Sequence, residues 1–197
     1  MRRSAFLAGV LCFAVLASGA LAGTSIIVES KTIPISSVAR TVYLDTYIDT
    51  DQAGLSTWGY QLVAAITGSS GLTFVGSAVP QQHAASFGTQ AGTANVSAGG
   101  QQITVGDFPY APVAAPLNDN DGLISLAFNV PANLSGVFTI SLIDLNSGTG
   151  TYLQDGGFGM TQIASVPGTL TIPEPASMSL LAIGGIAALW RRRKQSR

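Results

Sequence analysis

Thr41-Val42-Tyr43-Leu44-Asp45-Thr46-Tyr47-Ile48-Asp49-Thr50 alternates in polarity with a period of two. In an extended chain successive side chains point to opposite sides, so Val42, Leu44, Thr46 and Ile48 turn to one face and Tyr43, Asp45, Tyr47 and Asp49 to the other. That rhythm predicts a strand with its even face in a core and its odd face outside.

The same pattern recurs on both sides. Ile26 and Val28 suggest a first strand, and Trp58, Tyr60, Leu62, Ala64 and Ile66 another. A Gly68-Ser69-Ser70-Gly71 turn leads into a strand over 72–79. Ile124, Leu126, Phe128 and Val130, then Phe138, Ile140 and Leu142, supply two more core faces. The connection between them, residues 131–136, has hairpin length. A last strand over 168–172 runs straight into Pro173. Three stretches read as loops: 80–100, 106–120 and 146–159. Short strands, opposed apolar faces and no amphipathic helix predict an all-β fold, an antiparallel β-sandwich of jelly-roll or immunoglobulin-like type over residues 23–172.

Both ends carry addresses. Arg2-Arg3, an apolar core over 5–16 and Ala20-Leu21-Ala22 read as a signal peptide over 1–22, cut after Ala22 so that the mature chain starts at Gly23. At the other end Pro173-Glu174-Pro175 precedes an uncharged apolar run over 176–190, then Arg191-Arg192-Arg193-Lys194. The prolines lack N–H donors and keep the segment extended, as a protease requires. The run is predicted to form a transmembrane helix, about 22 Å long against a hydrocarbon core of about 30 Å, and its basic end stays on the cytoplasmic side. This order of parts over 173–197 resembles the PEP-CTERM sorting signal of exported bacterial proteins. The resemblance implies handling by an exosortase in a Gram-negative bacterium that makes extracellular polysaccharide. It implies a transient inner-membrane anchor and final residence at the envelope surface or in the matrix.

Residues 23–172 hold only two basic side chains, Lys31 and Arg40, against nine acidic ones. Nucleic acid is therefore a poor partner, whereas cations, neutral sugars or a basic protein face suit the domain. The single cysteine, Cys12, leaves with the signal, which excludes disulfides and thiolate chemistry. His83 is the sole histidine and reads as an exposed loop residue. No Gly-x-Ser-x-Gly elbow is present, so a hydrolase is the weakest reading and no enzyme activity or cofactor is expected. Asp119 and Asp121 lie in Asn118-Asp119-Asn120-Asp121-Gly122, a weak calcium candidate lacking the first carboxylate and the downstream Glu of an EF-type loop. A plain turn fits these residues better.

Tyr43, Asp45, Tyr47 and Asp49 form the candidate glycan-binding set. Aromatic faces stack on sugar rings, carboxylates accept from hydroxyls, and alternate residues lie about 7 Å apart. A solvated strand face is the plainer alternative. Residues 55–79, with Trp58-Gly59-Tyr60-Gln61-Leu62 and Gly71-Leu72-Thr73-Phe74-Val75-Gly76, and residues 123–143, followed by the closing Gly168-Thr169-Leu170-Thr171-Ile172, resemble cohesin-type and carbohydrate-binding-module-like sandwiches. Residues 63–70 lack the Tyr-Asp-Pro turn common in cohesins, so dockerin binding is not carried over. The expectation is an exported structural or adhesive module served by the secretion machinery and an exosortase. The alternative is a binding module for a glycan, extracellular polysaccharide included, or for a protein, with calcium assisting.

Overall fold

The computed structural model of the chain describes residues 23–52, 54–85, 87, 92–107, 115–146, 149–155 and 159–175. The signal-peptide reading over 1–22 and the apolar run and Arg191-Arg192-Arg193 cluster beyond Pro175 lie outside these. Among the described residues no helix is long and apolar enough to cross a membrane.

The strands are β1 (Thr24–Val28), β2 (Lys31–Thr32), β3 (Arg40–Thr50), β4 (Leu55–Thr57), β5 (Gly59–Gly68), β6 (Thr73–Ala78), β7 (Thr93–Val96) and β8 (Gln102–Asp107). They continue as β9 (Ala115–Leu117), β10 (Gly122–Val130), β11 (Gly136–Leu142), β12 (Tyr152–Gln154), β13 (Met160–Thr161), β14 (Ala164–Val166) and β15 (Gly168–Ile172). One sheet runs β14-β1-β3-β10-β6. The other runs β13-β12-β5-β11-β15-β2, with β8 on the free edge of β5 and β7 beyond it, while β4 and β9 form a small separate pair. Most pairs are antiparallel; β1 with β14 and β15 with β2 are parallel.

The even set of the opening stretch is buried as expected: Leu44, Thr46 and Ile48 are fully enclosed and Val42 nearly so. They meet Tyr60, Leu62, Ala64 and Ile66 from β5 and Phe138, Ile140 and Leu142 from β11 in one core. Phe74 and Phe128 add a ring pair with centroids 4.8 Å apart. Trp58 departs from the expectation, since it sits at a bend between β4 and β5 and is only half buried.

The stretch 131–136 is not a hairpin. Both edges of β10 are already paired, with β3 and with β6, so β11 must join the other sheet and the connection arches across the end of the sandwich. Asn133 (φ 59°) and Gly136 (φ 136°) supply the left-handed turns of that arch. The Gly68-to-Gly71 turn crosses between sheets at the same end, joining β5 to β6. At one side of the sandwich β1 and β14 run parallel in the first sheet, and their continuations β2 and β15 run parallel in the second. The two backbones switch sheets together, and there Gly168 has no room for a side chain: a Cβ would lie 2.6 Å from the Val28 carbonyl oxygen.

Candidate functional site

Residues 40–50 are long enough to cross the whole first sheet, so β3 presents its odd residues across the outer face, where the glycan set was expected. The structure divides that set. Tyr43 is exposed and Asp49 is exposed, but Asp45 is only 1% accessible. It lies on the outer face as predicted and is covered by the loop that follows β6. The backbone N–H groups of Gln81, Gln82 and His83 all donate to its carboxylate, at 2.9–3.0, 2.7 and 3.2 Å, and the Ser125 hydroxyl donates from β10. Burial pushes the Asp45 carboxyl up, but these four donors outweigh it and hold it below the ordinary carboxylate range. Asp45 therefore has no acceptor capacity to offer a sugar hydroxyl, a correction to its expected role.

The loop is tied down beyond Asp45. The Gln82 amide donates to Glu29 Oε1 at 2.6 Å, Glu29 Oε2 accepts from the Asp45 N–H at 3.1 Å, and the Gly122 N–H donates to the Ala84 carbonyl at 2.8 Å. His83 is consequently not a free loop residue. Its ring is half buried and stacks on Tyr47 with centroids 4.1 Å apart and planes 14° apart, and its Nδ1 lies 3.2 Å from the Asn120 carbonyl oxygen. One face of Tyr47 is thereby occupied. Of the four expected residues only Tyr43 and Asp49 remain open, six positions or about 20 Å apart along the strand.

Asp119 and Asp121 are part of a turn. Asp121 accepts from the Asn118 N–H at 2.8 Å, and Asp119 accepts from the Thr50 N–H at 3.3 Å and the Asn120 amide at 2.7 Å. Asn120 takes φ 64°, the left-handed position a short Asn/Asp turn needs. Among the described residues no three His, Cys, Asp or Glu side chains gather as a metal site.

The sorting residues are placed by β15. Ile172 is 1% accessible and paired with Gly136, so the ladder runs to the last residue before Pro173. Pro173 is half buried, and Glu174 and Pro175 are exposed. Sequence reasoning missed the Gln81-to-His83 donors and Ser125. A backbone nest leaves no side-chain signature, and a serine among Ile124, Leu126 and Phe128 reads as a solvent-facing position.

Residues 171–194 match the PEP-CTERM protein-sorting motif. No curated protein matches the chain. The sandwich is similar to solved cohesins. One is the Coh-OlpA–Doc918 complex, a type I cohesin–dockerin complex from Clostridium thermocellum, with TM-score 0.57 and 11% identity over 77% of this chain and 99% of that chain. A second is the sixth cohesin of scaffoldin B from Acetivibrio cellulolyticus, solved with a mutant Cel5 dockerin, with TM-score 0.55 and 12% identity over 77% and 99%. A third is the third ScaB cohesin of R. flavefaciens, solved with a group 1 dockerin, with TM-score 0.50 and 16% identity over 79% and 99%. At these identities the likeness is one of fold. The chain is a cohesin-like β-sandwich that carries a PEP-CTERM motif, and that motif implies export and exosortase processing at the membrane.

Proposed function

We propose that the protein is a non-catalytic structural or adhesive module, exported by the secretory route, held briefly in the inner membrane and released by an exosortase into the envelope or polysaccharide matrix. One observation carries this reading: the exposed Glu174 and Pro175 follow the buried, ladder-bound Ile172 with only Pro173 between, so the sandwich is joined to its sorting signal without a linker. The stacked His83 and the structurally engaged Asp45, Asp119 and Asp121 support a role without catalysis. Intact-mass measurement of the protein from medium and envelope tests the reading. The expected product starts at Gly23 and ends near Pro173, and it depends on the exosortase gene. A stable, abundant product that keeps Trp190 in a host with that enzyme refutes it.

The competing reading is a binding module. Its support is the fold of cohesins solved with dockerins, which points to a protein ligand, and the exposed Tyr43 ring, which is the remaining stacking surface for a glycan. A glycan array with Tyr43→Ala and Tyr47→Ala controls separates the classes: loss of a signal with Tyr43→Ala alone selects the binding reading. A calcium titration of thermal stability tests the metal, since a ligand of the folded state raises Tm.

A further inference from the structure

The two ends of the sandwich differ in charge. All charged side chains of residues 23–172 are among the described residues. At one end the chain enters at Gly23, and there lie Asp49 and Asp51 at the end of β3 and Asp119 and Asp121 in the turn before β10. Asp107 ends β8 opposite Tyr60, Asp155 follows β12, and Asp144 follows β11, all toward this same end. The tail leaves at the opposite end, where Ile172 pairs with Gly136, β3 starts at Arg40 and three loops pack together. The Asn133 N–H donates to the Ser36 carbonyl at 2.7 Å, and the Arg40 guanidinium donates to the Pro34 carbonyl. Arg40 and Lys31, the only two cations of the domain, belong to this end, the Lys31 ammonium donating to the Tyr43 carbonyl at 3.3 Å, against a single carboxylate there, the exposed Glu174 of the tail. So do Val38, 69% exposed at a loop tip, and Val137, 54% exposed beside the exit strand.

We propose that this tail-exit end is a seating surface for an anionic phospholipid bilayer, the one from which the chain is released. The inference rests on the reading of the tail as a membrane anchor. With no linker after Ile172, an anchored tail holds these loops at the headgroups, where exposed valines insert and Lys31 and Arg40 meet lipid phosphates. The acidic end stands about 35 Å away along β3, several screening lengths from the surface, and the inverted pose would press its carboxylates onto like charge. The sandwich is thereby held upright, with its Asp-rich end outward, until cleavage.

The test uses the signal-cleaved chain, residues 23–197, which contains no cysteine. Single Val38→Cys and Asp49→Cys variants carry a fluorophore in vesicles of phosphatidylcholine with one quarter phosphatidylglycerol. The expected result is that position 38 is shielded from an aqueous neutral quencher about fivefold better than position 49, and that the difference shrinks in pure phosphatidylcholine and with Lys31→Glu or Lys31→Gln. Equal quenching at both positions, in chain that sediments with the vesicles, overturns the seating and leaves the anchor standing. Shielding that ignores both lipid charge and the Lys31 variants also overturns it. Chain that does not sediment removes the anchor reading itself, and the seating falls with it.

Discussion

Asp45 is the residue whose role the fold rewrote. Its alternation with Leu44 and Thr46 correctly put it on the outer face, yet three consecutive N–H groups and a serine close over it. Charge-assisted bonds to a buried carboxylate contribute about 1.5–3 kcal/mol each when one partner is removed. Asp45→Ala is therefore expected to lower unfolding stability by about 3 kcal/mol or more and Ser125→Ala by about 2 kcal/mol, read from urea midpoints at constant slope. The pH dependence has a definite sign. The folded Asp45 carboxyl titrates below its unfolded value of about 3.9, so its stabilisation is complete above that value and is lost as pH falls through the folded pKa. Asp45→Asn should flatten the stability profile below about pH 5, which acid-series denaturation curves will show.

At the level of elements, the strand pairs explain both the close approach at Gly168 and the exposed sorting signal. A side chain at 168 collides with the carbonyls of Val28 and Glu29, backbone groups that cannot swing away. Gly168→Ala should thus cost about 2 kcal/mol or more and loosen β15 and β2 first, visible as early amide exchange at Leu170 and Thr171. The direct join of β15 to Pro173 has a kinetic consequence. A six-residue Gly/Ser insertion after Ile172 leaves the ladder intact and frees the segment from the sandwich. Processing in an exosortase host is expected to speed up without a change in melting temperature, followed as the ratio of anchored to released protein over time. An unchanged ratio would mean that the enzyme already reaches Pro173 beside the folded strand.

For the molecule as a whole, pairing of residues distant in sequence sets the folding rate. Lys31 pairs with Leu170 and Thr46 with Ile124, so loops must close at large entropic cost before their contacts form. Refolding of residues 23–172 followed by Trp58 fluorescence is expected on the millisecond-to-second scale of all-β sandwiches. Much of this was legible in the chain: the all-β class, the core faces of β3, β5, β10 and β11, and the sorting motif after β15. These follow from side-chain alternation and from a polarity step at Pro173, both local properties. Strand β8 escaped because two inward residues, Ile103 and Val105, make too short a pattern between loop-like stretches. The hairpin reading of 131–136 failed because connection length says nothing about which edges of β10 are free. What the sequence determined by itself was therefore which side of β3, β5, β10 and β11 is apolar and that a sorting motif follows the last strand. The tertiary structure alone decided that Asp45 is sealed, that His83 covers Tyr47 and that most of the carboxylates gather at the end opposite Lys31 and Arg40, because each depends on contacts between segments tens of residues apart.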